Sequence, residues 1–151
     1  MKRAVLLLLL AFATLASRGQ NDRSEAIRIA IIGDEYLKEG YFPEAIDYYR
    51  EALAIYPEYV KATFQIAQCY RLSDQADSAA FHYESIISDG QDHRYPMSRY
   101  HLAMIQLDEN QVKEAKENLT TFRKLLLENK LSTLKKYVDF YEQAQEELDK
   151  M

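Results

Sequence analysis

The chain has 151 residues, 28% of them charged and 48% hydrophobic, with a formal net charge of −5. This length suits one domain or a short array of repeats. The 19 Lys and Arg residues against 24 Asp and Glu argue against nucleic-acid binding, which needs a basic face. Cys69 is the only cysteine, so no intramolecular disulfide is expected and the hydrophobic core must hold the fold.

Residues 1–19 have the pattern of a secretory signal peptide. Lys2 and Arg3 precede an apolar run over residues 4–16, and the small residues that follow favour cleavage before Gln20. The run is shorter than the ~20 apolar residues that span a bilayer. No cysteine lies near the cleavage position. We therefore expect an exported bacterial protein, periplasmic or secreted, with no lipid anchor and no stable membrane insertion.

The remainder of the chain repeats itself. At an offset of 34 residues, IIGDEYLKEGYFPEAIDYYREAL lies over QIAQCYRLSDQADSAAFHYESII without a gap, and a third copy runs from His101 to Phe122. Apolar residues at spacings of three and four in each copy predict amphipathic helices. Between the halves of each copy stands a residue that tolerates a left-handed backbone: Gly40, Asp74 and Asn110. Helix, tight turn and helix are thus predicted three times, with two extra residues in the loop near 90–95.

The pattern predicts seven helices after the signal peptide, near residues 25–39, 42–56, 59–72, 75–88, 96–108, 111–129 and 132–149. Pro57 closes the second helix, and Pro96 suits the first turn of the fifth. Ser132 is the predicted cap of the last helix. That helix has an apolar stripe and is expected to cover the exposed end of the array. The stripe consists of Leu134, Tyr137, Val138, Tyr141 and Leu148.

Small residues recur where the two helices of each copy must approach closely. Large side chains there would push the helix axes beyond the usual 8–10 Å. The first helices contribute Gly33, Ala67 and Ala103, and the second helices contribute Ala45, Ala79 and Ala115. Two tyrosine pairs are expected to fill the space beside these residues: Tyr36 with Tyr49, and Tyr70 with Tyr83.

Taken together, these residues resemble the tetratricopeptide repeat family. The first copy places Gly33, Tyr36, Gly40, Ala45 and Pro57 where the family pattern has such residues. The resemblance implies an all-α, right-handed superhelix of three helix–turn–helix repeats and a C-terminal capping helix. The implied boundaries are 1–19 for the signal peptide, 20–130 for the repeats (about 26–59, 60–93 and 96–129) and 131–151 for the cap. The third copy departs from the pattern because Gln106 stands where the family prefers an aromatic residue.

No arrangement of residues in the sequence points to catalysis. His82, His93 and His101 lie in separate segments, and none has a His or Cys at metal-ligand spacing. Cys69 has no basic neighbour that would stabilise a thiolate, so a packed side chain is the preferred interpretation. Phosphate-binding loops and hydrolase motifs are missing. We predict that the protein is not an enzyme and has no catalytic, cofactor or metal site.

The family resemblance implies that the first helix of each pair lines a concave binding groove. The predicted groove residues are Asp34, Lys38, Phe64, Gln68, Arg71, Tyr100, Met104 and Asp108. Some family members clamp a C-terminal carboxylate with lysine, asparagine and arginine, but Ala30, Phe64 and Tyr100 occupy those positions here. Phe64, Tyr100 and Met104 are candidate apolar anchors, and Arg71 is a candidate partner for a carboxylate. Packing of Phe64 and Tyr100 between repeats is the open alternative.

The sequence therefore predicts an exported adaptor or scaffold that binds a peptide or protein segment, in a bacterial envelope or secretion-related assembly. Two alternatives stay open. One is a permanent structural subunit or homo-oligomer that uses convex or terminal helix faces. The other is a periplasmic chaperone for exported clients.

Overall fold

The computed structural model describes the backbone of residues 2–151 and the side chains of residues 19–151. The described chain is all-α, without strands. Its helices are α1 (Lys2–Glu39), α2 (Phe42–Ile55), α3 (Val60–Leu72), α4 (Ala76–Ser88), α5 (Met97–Asp108), α6 (Val112–Glu128) and α7 (Lys135–Lys150). The predicted signal peptide falls almost entirely outside the described side chains. The predicted class of fold, all-α, is confirmed.

Helices α2–α7 begin and end within three residues of their predicted positions. The predicted start of the first helix near residue 25 is wrong, because α1 continues from Lys2 to Glu39. The polar residues after the apolar run contain neither proline nor a side chain that stops the helix. Ser24 Oγ instead donates to the Gln20 carbonyl one turn earlier, at 2.9 Å, and Arg28 pairs with Glu25 at 2.6 Å on the same helix.

The tight turns lie where the sequence predicted them. Gly40, Asp74 and Asn110 have φ values of 84°, 58° and 61°. At each turn the following amide donates to a carbonyl five residues earlier, as in Gln111 to Gln106 at 2.7 Å. This is the Schellman arrangement, which satisfies carbonyls left without partners at a helix end. Gly90 and Lys130 form the same turn, although the sequence did not single them out.

The turn at Lys130 explains why Ser132 does not cap α7. The Leu131 and Ser132 amides both donate to the Leu126 carbonyl, at 2.7 and 3.3 Å, so Ser132 still belongs to the end of α6. The N-cap is Leu134, which has an extended backbone and makes no side-chain cap hydrogen bond. The prediction for Ser132 is therefore wrong.

The chain divides into two compact units, Met1–Gln65 and Ile66–Met151. In the first unit, α2 packs along the C-terminal part of α1. Gly33 faces the fully buried ring of Tyr49, and Ala45 is also fully buried. Tyr36 stacks on Tyr48 with ring centroids 5.2 Å apart. The absence of a side chain at Gly33 thus makes room for the Tyr49 ring.

The second unit has its core between α5, α6 and α7. The buried members of this core cluster are Tyr100, Ala103, Ala115, Leu119, Phe122, Leu126 and Ala144. Tyr137, Tyr141 and Leu148 of the predicted stripe pack against the cluster, together with Phe140 and Met151. Leu134 is an exposed member of that stripe. The apolar face of α7 therefore covers the last helix pair, as the sequence predicted for a terminal helix.

Gly33 offers a direct test of the close approach between α1 and α2. A Cβ atom at this position would lie 2.9 Å from Tyr49 Cε1. Because the ring is buried and cannot swing away, we expect Gly33→Val to lower the free energy of unfolding by about 2 kcal/mol. Urea unfolding followed by circular dichroism measures the change. Ala54→Val, at an exposed position of α2, is the control and should change stability little; equal effects of the two substitutions would contradict the packing argument.

Candidate partner-binding site

Asp34 and Lys38, both on α1, have different surroundings. Asp34 accepts hydrogen bonds from Tyr49 Oη at 2.7 Å, Lys61 Nζ at 2.6 Å and Gln65 Nε2 at 3.2 Å. Burial works to raise the pKa of Asp34, but these donors outweigh it and lower the pKa. Asp34 thus serves the packing of its own unit. Lys38 is largely exposed and lies 4.0 Å from Glu35.

Phe64, Met104 and Asp108 were also predicted groove residues. Phe64 on α3 is half-buried. Met104 on α5 is half-buried too, and packs against the core cluster of the second unit. Asp108 is exposed at the last position of α5.

Tyr100 is a core residue, which contradicts its predicted role as an exposed groove anchor. It is 6% exposed. Its ring contacts Phe122 and Phe140 with centroids 5.4 and 5.1 Å away, and its hydroxyl donates to Gln143 Oε1 at 2.6 Å. Helix α7 supplies Phe140 and Gln143, so the capping helix occupies the space beside Tyr100. The alternative that Tyr100 packs between helices is the one the structure shows.

Arg71 differs from Asp34 and Lys38 because its guanidinium pairs with no carboxylate of a described residue. The guanidinium is half-buried at the end of α3, and its Nε and Nη2 atoms donate to Gln68 Oε1 at 3.2 and 2.8 Å. Its charge also acts on the Tyr83 hydroxyl, whose pKa it works to lower. Within the described part of the chain, Arg71 forms no ion pair. A partly buried cation held only by neutral groups is a ready receptor for a carboxylate.

Arg71 acts electrostatically on a group of buried rings. Burial raises the pKa of Tyr83, and the nearby guanidinium opposes this rise. Burial lowers the pKa of His101 to about 3, and Arg71 lowers it further in the same direction. His101 stacks on Tyr83 with ring centroids 5.6 Å apart, and the Phe140 ring lies edge-on to His101 with centroids 6.3 Å apart. His101 is therefore a neutral ring at physiological pH, so it adds no positive charge beside Arg71.

The sequence analysis did not predict that Tyr83 and His101 lie close enough to Arg71 to feel its charge. His101 was treated as one of three isolated histidines. The available signal was its position next to Tyr100 on the apolar side of α5, where a charged ring is unlikely to be stable. Cys69 is fully buried on α3, in agreement with the prediction of a packed side chain.

The described residues contain neither a candidate metal site nor a candidate membrane-spanning helix. No group of three or more His, Cys, Asp or Glu side chains is placed to hold a metal ion. Within the same part of the chain, no helix combines the length and apolar character needed to cross a membrane.

The fold is similar to several solved structures. The type III secretion chaperone SycD of Yersinia enterocolitica, in complex with a peptide of the translocator YopD, has a TM-score of 0.70 at 13% identity, covering 84% of this chain and 92% of that chain. The TPR2B domain of yeast Sti1, in a pHsp70 complex, has a TM-score of 0.68 at 19% identity, covering 82% and 98%. The Sgt2 TPR domain of Aspergillus fumigatus has a TM-score of 0.65 at 20% identity, covering 83% and 80%.

Residues 36–96 match the family model of the tetratricopeptide repeat. This span therefore consists of tetratricopeptide repeats. The matched span includes the turns at Gly40 and Asp74 and the helix that carries Arg71. A search of curated proteins found no match to the sequence. The similarity to the solved structures, all below 25% identity, establishes the fold of this chain.

The core position of Tyr100 can be tested by two substitutions. Tyr100→Ala should lower the free energy of unfolding by about 3–5 kcal/mol, because it leaves a cavity among Phe122, Phe140 and Ala103. Tyr100→Phe keeps the ring and loses only the bond to Gln143, so we expect a loss of about 1 kcal/mol. Thermal and urea unfolding measure both. A wild-type stability for Tyr100→Ala would contradict the assignment of Tyr100 to the core.

His101 should make stability depend on pH. Its folded pKa of about 3 lies below the ordinary value of 6.5, so between these values the unfolded chain binds more protons. Stability should fall as the pH falls through this window, by up to about 1.4 kcal/mol per pH unit. Urea unfolding from about pH 7 to about pH 4.5 measures the slope, and His101→Phe should reduce it. The control His93→Phe, at an exposed histidine, should leave the slope unchanged; equal slopes in all three proteins would refute the prediction.

Proposed function

We propose that this tetratricopeptide repeat protein is an exported adaptor that holds a segment of a partner protein, and that Arg71 pairs with a carboxylate of that segment. The observation that carries the proposal is the half-buried Arg71 guanidinium, which forms no ion pair with a described residue. An arriving carboxylate would replace water at a cation that already lies in low-dielectric surroundings. Charge-assisted hydrogen bonds of this kind are about twice as strong as neutral ones.

The neighbourhood of Arg71 suits recognition rather than catalysis. Gln68 fixes the guanidinium through two hydrogen bonds, so little side-chain entropy is lost when a ligand binds. His101 stays neutral and Tyr83 keeps its proton, so neither ring adds a charge beside Arg71. The site therefore has one fixed positive charge next to neutral aromatic rings.

Two similar structures support a peptide as the ligand class. The SycD structure contains a peptide of the translocator YopD, and the Sti1 domain is in a pHsp70 complex. The present chain lacks the clamp of lysine and asparagine residues, since Ala30, Phe64 and Tyr100 stand at those positions. We infer that recognition depends on a single arginine with apolar neighbours, not on a multi-residue carboxylate clamp. Export rests on the signal-peptide pattern of residues 1–19.

Peptide selection tests this function. The mature chain, beginning at Gln20, is immobilised and used to select from a phage-displayed library of random peptides. We expect the selected peptides to contain an acidic residue or a free C-terminal carboxylate. Arg71→Ala should weaken their binding about tenfold or more in fluorescence polarisation, because a charge-assisted contact to a fixed cation is lost.

Arg94→Ala is the matched control, since it removes an exposed arginine from the same unit. The Arg94→Ala variant should bind the selected peptides with the affinity of the wild-type protein. Selection of peptides without carboxylates, or equal binding by Arg71→Ala, would overturn the role of Arg71. Capture of many unrelated clients would favour the chaperone alternative. Copurification of one protein in fixed stoichiometry, or self-association in sedimentation, would favour the structural subunit.

A further inference from the structure

The two places where the third repeat departs from the pattern meet in one polar network. The longer loop brings Asp92 to Arg99, with Oδ2 and Nε 2.6 Å apart and both side chains mostly buried. Arg99 Nη1 also donates to Asn118 Oδ1 at 2.9 Å, and Asn118 Nδ2 donates to Gln106 Oε1 at 2.9 Å. Gln106, which replaces the family's aromatic residue, is thus the inner end of a chain of hydrogen bonds that begins in the inserted loop.

This network forms the floor of a cleft between α4, α5 and α6. The cleft has a volume of about 360 Å³, which is in the range of small-ligand or side-chain pockets. Ile87 and Leu102 provide apolar walls. An aromatic ring in place of Gln106 would fill part of this space, so the substitution both opens the cleft and makes its floor polar.

The floor still has an unused hydrogen-bond donor. Gln106 is only 8% exposed and accepts from Asn118, but its Nε2 group donates to no described residue and borders the cleft. Gln106 Nε2 is not among the buried side-chain atoms without a partner, so solvent reaches this donor from the cleft. A ligand carbonyl inside the cleft would supply the acceptor that the protein does not.

The rim of the cleft is acidic. Glu84 of α4 and Glu114 and Glu117 of α6 border the cleft, and none of them forms an ion pair with a described residue. The one cation at the floor, Arg99, is already neutralised by Asp92. The local field of the cleft is therefore negative, and an anionic ligand would meet three carboxylates before reaching the floor.

We propose that this cleft is a second binding site, which takes a basic segment of a partner polypeptide. A backbone carbonyl of the segment accepts from Gln106 Nε2. The aliphatic stem of a lysine or arginine lies against Ile87 and Leu102, and its cationic head pairs with the rim glutamates. This site uses none of the residues around Arg71, so the two binding functions are separable.

Nuclear magnetic resonance titration with defined peptides tests the site. The probes are acetylated, amidated pentapeptides of glycine and serine with arginine, citrulline or glutamate at the centre. The arginine peptide should shift the side-chain amide signals of Gln106 and the backbone amide signals of Glu114 and Glu117. The citrulline peptide should bind about tenfold more weakly because it lacks the charge, and the glutamate peptide should not bind.

Substitutions then separate the contribution of the floor to peptide affinity from that of the rim. The triple variant of Glu84→Gln, Glu114→Gln and Glu117→Gln should raise the Kd of the arginine peptide about tenfold and remove its dependence on salt. Gln106→Leu, which fills similar volume without a donor, should raise the Kd several-fold while leaving the dependence on salt. Circular dichroism confirms that both variants are folded.

Glu58→Gln, at an exposed glutamate of the first unit, is the charge control and should bind as wild type. Arg71→Ala should also leave this Kd unchanged, which distinguishes failure of the cleft from failure of the proposed function. Shifts at other residues, equal affinity for arginine and citrulline, or no binding at millimolar peptide would overturn the proposal. Self-association that disappears in the triple variant would identify a second copy as the occupant and would also overturn it.

Discussion

The contact between Gly33 and the ring of Tyr49 is the constraint on which the first unit depends. A single carbon atom added to Gly33 would lie 2.9 Å from the ring, so α1 and α2 can meet at this distance only because the residue has no side chain. The buried ring then places its hydroxyl 2.7 Å from Asp34. Asp34 in turn accepts hydrogen bonds from Lys61 and Gln65 of α3. The size of one residue thus fixes a helix pair and, through a phenol and a carboxylate, the start of the next helix.

Local features of this fold could be predicted from the sequence, whereas features that depend on distant residues could not. Apolar spacing and the turn residues Gly40, Asp74 and Asn110 act within a few positions, and the structure confirms the helices and the left-handed turns they predict. The burial of Tyr100 depends on Phe140 and Gln143, about forty positions away on a helix outside the repeat. The groove prediction for Tyr100 was therefore wrong although its helix was predicted correctly.

In the candidate site, too, the sequence predicted the positions of residues but not the contacts that distant residues make with them. The sequence identified Arg71 by its position in the repeat. The reason to single it out is that it forms no ion pair with a described residue, and only the structure shows this. Gln106 was noted only as a departure from the family pattern. The structure shows that the departure leaves the repeat intact, since Ala103 and Ala115 are fully buried and the turn at Asn110 closes normally. Asn118 satisfies the carbonyl of Gln106, so the polar residue is tolerated there.

The opposite charges of the two proposed sites imply different contributions to binding. The rim glutamates are exposed, so their attraction for a basic segment acts at a distance and is screened by salt. The whole chain, with a formal net charge of −5, has a charge of the same sign as this field. Arg71 is half-buried and acts only at contact, where it discriminates between a carboxylate and a neutral group. The rim should therefore govern the rate at which a partner arrives, and Arg71 the time for which it stays.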